Sequence, residues 1–366
     1  MPKGLRARIS IKKDCLPMKD SNKEITLRLT DSPGDVARAA ELLRAGRLVA
    51  IPTETVYGLA ADALNGDAVA AIFAAKGRPQ DNPLIVHIAY YEEWAPLVAG
   101  IPAAAQALAA AYWPGPLTMI LPRSGRIPDE VSAGLDTVAV RMPSHPAART
   151  IIAACGRPLA APSANRSGSP SPTTAARVLE DMEGRIAAVV DGGPCSVGVE
   201  STVVDLSGGR PRLLRPGGVT LPMLEEVAGP VEVDAAVTGR LREGERAASP
   251  GMKYKHYAPK ARVILVKGSP EAYARFLAAR AAEEPEGLAA LCFDGEAQGL
   301  SPPAVAYGGR EDHAAQARQV FDALRRLDEI GAKKVYAACP APDGIGLAVY
   351  NRLLRAAAFE VIELDG

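Results

Sequence analysis

The chain is poor in the residues from which most metal and covalent-catalysis centres are built. Its 366 residues hold four histidines and five cysteines. Cys15, Cys155, Cys195, Cys292 and Cys339 are scattered, odd in number and never spaced CxxC. This gives no zinc or disulfide framework and fits a reducing, cytoplasmic setting. Neither HExxH nor GxSxG occurs, so zinc hydrolysis and a serine nucleophile elbow lack their signatures. Aromatics are 5%, which suggests no base-stacking platform. Lys plus Arg and Asp plus Glu are 42 each, so net charge does not argue for a nucleic-acid partner. No window approaches the roughly 18 uninterrupted apolar residues of a membrane span. Residues 1–23 are basic but carry no apolar core of about 7–15 residues, so they read as a mobile tail and not as a secretory signal.

What is present is a concentration of hydroxyls, amides and cations. The stretch Ile51 to Ile88 opens on a short strand ending at Ile51. It then places Thr53, Glu54, Thr55 and Tyr57 where a loop leaves the sheet. A helix follows, with Asp67 as its expected N-cap and Val69, Ile72 and Phe73 as its buried stripe. It ends in Lys76-Gly77-Arg78-Pro79, and the next strand, Leu84 to Ile88, carries His87. Taken singly these are ordinary features: cations answer the helix dipole, Gly and Pro stop the helix, and threonines make turns. Together they fall near strand ends of one α/β unit, where open sheets bind ligands.

Downstream the same chemistry recurs. Helices are expected over 91–98 and 102–112, and the strand AGLDTVAVR ends on Arg141, well placed to receive a carboxylate or phosphate. The run Pro162 to Pro172 gathers Ser163, Asn165, Ser167, Ser169 and Ser171 before a helix capped by Thr173 or Thr174, a good anion environment. Ser201 and Arg215 follow near further strand ends. The basic tail (1–23) thus precedes a catalytic domain over 24–228. Residues 229–260 carry no core pattern and read as a linker. Within it, residues 249–259 pack two Tyr, one His, one Met and two Lys, suited to a lid over a ligand. From 261 to 366, strand and helix patterns alternate as in a small βα domain with a mainly parallel sheet, without GxGxxG or GxxxxGK[ST]. Such a set of cations and hydroxyls suits a triphosphate and a small carboxylate, in the style of nucleotidyl transfer without a covalent enzyme intermediate.

The motifs PTETVYGL (52–59), KGRPQDNPLIVHI (76–88), WPGPLT (113–118), AGLDTVAVRMP (133–143), APSANRSG (161–168), GVEST (198–202), LLRPG (213–217) and PGMKYKHYAP (250–259) together closely resemble the threonylcarbamoyl-AMP synthases in their long, two-domain form. The resemblance implies a twisted mixed-sheet YrdC-like α/β domain with a concave basic cavity, and a smaller Rossmann-like C-terminal domain. It implies conversion of L-threonine, bicarbonate and ATP to threonylcarbamoyl-AMP and pyrophosphate. The product would be handed to the tRNA threonylcarbamoyl transferase machinery, for adenosine 37. It further implies Lys76, Arg78, Ser163 and Asn165 as the signature catalytic set. Threonine would be held by Thr53 or Thr55, His87, Arg141 and Ser201. ATP would be held by Lys76, Arg78, Asn82, Thr137, Ala161, Ser163, Asn165, Ser171, Arg215 and Tyr257, with Mg²⁺ carried on its phosphates and not by protein ligands. Membrane attachment is not expected, and no stable nucleic-acid binding is required. An RNA-binding module without ATP turnover is the alternative. A hydrogenase-type carbamoyl-transfer enzyme would bring CxxC zinc motifs and an acylphosphatase-like segment, and neither is found.

Overall fold

The computed structural model of the chain describes residues 25–239 and 257–365. The basic tail and most of the expected lid lie outside these residues; Tyr257, Ala258 and Pro259 lie within them. Strands build two sheets. One has eleven strands between Leu27 and Val233, and the other has five between Arg262 and Glu363.

The large sheet is mixed. Strand Ile85–His87 runs parallel to Thr137–Arg141, which pairs antiparallel with Leu117–Pro122, itself parallel to Thr202–Asp205. Leu84, Val86, Met119, Val138 and Val140 are fully or almost fully buried in its main core. That placement follows from the period-2 alternation of these strands. The pairing sets His87 directly opposite Arg141, so both side chains emerge on one face of the sheet. The second sheet is wholly parallel, with helices such as His313–Glu329 and Gly346–Ala356 packed on it around Leu265, Leu291, Phe321 and Val349. Among the described residues no helix is long and apolar enough to cross a membrane.

Several local expectations change. Helix Gly66–Lys76 is capped by Asn65, whose side chain accepts from the amides of Asp67 and Ala68. Asp67 sits instead in the first turn, where its charge still favours the dipole. Residues 91–98 form two 3-10 turns, because Pro96 removes a donor from any longer helix. Gly58–Asp62, to which the sequence pattern assigns no element, is a fully buried strand paired antiparallel with Val49–Ile51. The stretch after Gly229 is not bare linker: Glu232–Val233 adds a short edge strand to Arg212–Leu213, and Ala236 and Val237 are buried.

The two sheets share contacts. Val56 and Val199, from motif loops of the large sheet, belong to the core of the small one. Gly198, at φ +83°, lets its loop pass so close to helix His313–Glu329 that a Cβ there would meet the Arg318 Cα at 2.3 Å. Only glycine serves at that approach.

Candidate active site

The motif loops converge on one cavity beside the ends of strands Ile85–His87, Thr137–Arg141 and Arg212–Arg215. Twelve of the residues expected from the sequence line it: Thr53, Thr55, Lys76, Arg78, His87, Arg141, Ala161, Ser163, Asn165, Ser201, Arg215 and Tyr257. Three do not. Thr137 sits at the far start of its strand. Asn82 is buried outside the lining, and its backbone carbonyl accepts from Arg78 Nη2 at 3.2 Å. Ser171 is buried and donates its hydroxyl to Glu200.

Lys76 is brought in by its helix. The helix ends at Gly77, in the left-handed conformation, and the lysine turns inward to give its ammonium to the Ser163 and Asn165 carbonyls. The serine-rich loop is held to the same place from both sides. Ala164 N donates to the Tyr57 carbonyl at 2.8 Å, and Ser167 N to the Lys76 carbonyl at 2.9 Å. The Asn165 amide braces the loop on the Arg166 and Ser169 carbonyls at 2.7 and 2.8 Å. The Ser163 hydroxyl reaches Asn165 Oδ1.

Burial strips Lys76 of hydration, and Arg78 repels it further, so its pKa lies well below the ordinary lysine value. Loss of hydration likewise draws Arg78 and Arg215 down to about 10. Arg215 donates from Nε to the Ser201 carbonyl at 3.0 Å and from Nη2 to the Ser201 hydroxyl at 3.1 Å, and that hydroxyl also meets Thr118 Oγ1 at 2.8 Å. Three cations are thus held in a poorly hydrated place, an arrangement that an incoming polyanion would relieve.

The other end of the cavity is built around Arg141. Its Nη1 donates to Thr55 Oγ1 at 2.9 Å and its Nε to the Gly115 carbonyl at 3.3 Å. Its Nη2 lies 2.8 Å from Glu54 Oε1, an ion pair without hydrogen-bond alignment, with both side chains buried. Burial would raise the Glu54 carboxyl, but the Arg141 guanidinium, with smaller help from the nearby backbone, brings it below the ordinary glutamate value and keeps it ionised. His87, buried beside Arg141, is held down to about 3, first by burial and then by that guanidinium. It is therefore a neutral imidazole at physiological pH, with Nδ1 3.2 Å from the Ile85 carbonyl. Of the two candidate threonines, Thr53 is consumed locally: its hydroxyl donates to the Val56 carbonyl at 2.6 Å and accepts from the amides of Thr55 and Val56. Thr55 carries the link to Arg141.

Sequence reasoning placed Glu54 in the loop without a role and did not single out Glu200. Glu54 stands inside a quoted motif and Glu200 inside another, yet the partners that give them meaning lie 87 and 152 residues away, at Arg141 and Arg352. Among the described residues no three of His, Cys, Asp and Glu converge to hold a metal.

A family profile described as Telomere recombination matches residues 41–217, which include every lining residue except Tyr257. One described as Threonylcarbamoyl-AMP synthase, C-terminal domain, matches residues 219–358. The chain is 46% identical over 326 residues to the threonylcarbamoyl-AMP synthase of Pyrococcus abyssi, covering 89% of this chain and 95% of that protein. It is 45% identical over 344 residues to the Bacillus subtilis threonylcarbamoyl-AMP synthase, covering 93% and 97%. The crystal structure of P. abyssi Sua5 complexed with L-threonine superposes with a TM-score of 0.88 at 43% identity, over 93% of this chain and all of that one.

Proposed function

The chain belongs to the threonylcarbamoyl-AMP synthase family, and on that premise we propose that its cavity joins L-threonine, bicarbonate and ATP into threonylcarbamoyl-AMP and pyrophosphate. The supporting observation is the division of the cavity into two chemically distinct ends. Arg141, Thr55 and a neutral His87 form a compact end suited to an amino acid, and Lys76, Arg78 and Arg215 form a cationic end suited to a triphosphate. The relative crystallised with L-threonine supports the amino-acid half.

In this reading the threonine carboxylate docks on Arg141, whose charge Glu54 partly balances. The amine attacks the bicarbonate carbon, forming the N–C bond with loss of water. A carbamate oxygen then attacks the α-phosphorus, and the electron pair of the broken P–O bond leaves with pyrophosphate. The protein contributes position and charge: Lys76, Arg78 and Arg215 offset the growing charge on the phosphates, and the buried walls keep water from a labile carbamate. Ser163 and Asn165 fix the Lys76 ammonium. Both carboxylates of the site are already engaged by arginines, so the chain's own donors do not form a magnesium site. Any Mg²⁺ would arrive on the phosphates, and no step here depends on it. Cytoplasmic hand-off of the product to the tRNA threonylcarbamoyl transferase machinery completes the proposal.

The test is pyrophosphate release from ATP with threonine and bicarbonate supplied together and each withheld in turn. Release that requires both is expected. ATP left intact in every mixture, with RNA retained by the protein, would replace the synthase reading with that of an RNA-binding module.

A further inference from the structure

One charged side chain from a helix of the small parallel sheet is bonded directly to a residue that lines the cavity. Helix Gly346–Ala356 carries Arg352, which has no solvent exposure. Its guanidinium donates from Nε to Glu200 Oε2 at 2.7 Å and from Nη2 to the Glu200 carbonyl at 3.3 Å. Nη1 donates to the Pro216 carbonyl at 3.1 Å and to Asn351 Oδ1 at 3.0 Å. The neighbouring Asn351 and Arg355 tie the same helix to the Val237 and Ala236 carbonyls at 2.6 and 2.7 Å.

Glu200 is the only carboxylate lining the cavity among the described residues. Its second oxygen accepts the Ser171 hydroxyl, so both oxygens are committed away from the cavity's cations. The charged and titratable groups that influence it are Arg352, Arg215, Lys76 and Tyr257, drawn from four separate elements. Arg352 also lies 5.6 Å from the Tyr257 ring centroid, beneath the first described residue of the expected lid. An ionised carboxylate in a phosphate site would compete with the ligand for cations unless something else claims it.

We propose that Arg352 is a positioning residue for the nucleotide: it neutralises Glu200 and pins it against Ser171. Arg215 and Lys76 then present their charge to the polyanion and not to this carboxylate. The small sheet is on this view an electrostatic component of the active site. This inference rests on the ATP reading above.

The experiment measures the KM for ATP and the KM for threonine separately in the full chain, for wild type, R352M, E200Q and R352M/E200Q. In R352M the ATP KM is expected to rise on the order of 30-fold, with the threonine KM within about threefold. In R352M/E200Q it is expected to return most of the way, because removing the carboxylate's charge removes the need for its partner. Equal losses for both substrates, or no recovery in the double variant, overturn the proposal. Should R352M fail to fold, the double variant decides. Folded with near-wild-type ATP KM, it supports the proposal; folded with weak ATP binding, or unfolded, it makes Arg352 a stability residue only. A wild type without ATP turnover sinks the synthase reading itself. Turnover without rescue sinks only this inference.

Discussion

Among the described residues, a cavity at strand ends of the large sheet and a crevice at strand ends of the small one treat charge in opposite ways. In the crevice of the small sheet, Lys267 stands 66% exposed and pairs with Glu363 at 3.2 Å, which raises its pKa. Arg310 there lies on Glu296 at 2.8 Å and over the Phe293 ring at 4.4 Å. Each cation has an acidic partner and access to water, so the crevice needs no ligand to be electrostatically settled. In the cavity of the large sheet, Lys76 gives its hydrogen bonds to the Ser163 and Asn165 carbonyls, and burial depresses its pKa more than Asp181 and Glu200 restore it. Position at the carboxyl ends of a parallel sheet is therefore a weak guide to function here. Buried charge short of counter-charge is the sharper one.

That contrast can be broken most forcefully at its two lysines. Lys76→Ala should lower ATP-dependent pyrophosphate release by about 10²–10³-fold, as expected for loss of a preorganised charge aimed at the reacting phosphates. Lys267→Ala should leave the rate within about twofold, because exposed, paired lysines contribute little. Equal losses at both would erase the distinction. Next in size, Arg141→Ala should raise the threonine KM on the order of 10²-fold while moving the ATP KM little, since it leaves Glu54 as a buried and uncompensated anion facing the amino acid's carboxylate. Steady-state kinetics with each substrate varied in turn separates the two ends of the cavity.

The smallest effect sharpens the comparison. The Lys76 pKa is lowered in the ligand-free cavity, and phosphates would raise it. Between the free and bound values, nucleotide binding should take up protons, by at most one per site from this group; below both values and above both, none. Calorimetric titration in buffers of different ionisation enthalpy reads this directly. The same depression means that the folded chain holds fewer protons than the unfolded chain in the window between the lowered value and the ordinary lysine value. In that window this group makes stability rise with pH.

Much of the site was legible because it is carried by local motifs with unusual chemistry. Lys76 at a helix end, Arg141 at a strand end and the Ser163–Asn165 loop were each placed by patterns a few residues long. The missing parts are those whose meaning is made by distant partners. Arg352 sits in YNRLL, indistinguishable from an ordinary helix arginine until the fold sets it on Glu200. Gly58–Asp62 is glycine- and alanine-rich, with weak strand propensity, and becomes a strand because both its neighbours need a partner. The hydroxyls Thr53 and Thr55 were equivalent on paper and differ only because one closes its own turn and the other meets Arg141. Of the expected lid, Tyr257 alone reaches the cavity among the described residues, where it lies 5.2 Å from the Phe321 ring.

The most direct measurement is a crystal structure of the full chain grown with L-threonine and a non-hydrolysable ATP analogue. The account predicts the amino acid's carboxylate on Arg141 and the phosphates against Lys76, Arg78 and Arg215, with Glu200 still held by Arg352. Density for the nucleotide in the crevice by Lys267 and Arg310, with the cavity of the large sheet unchanged, would contradict it.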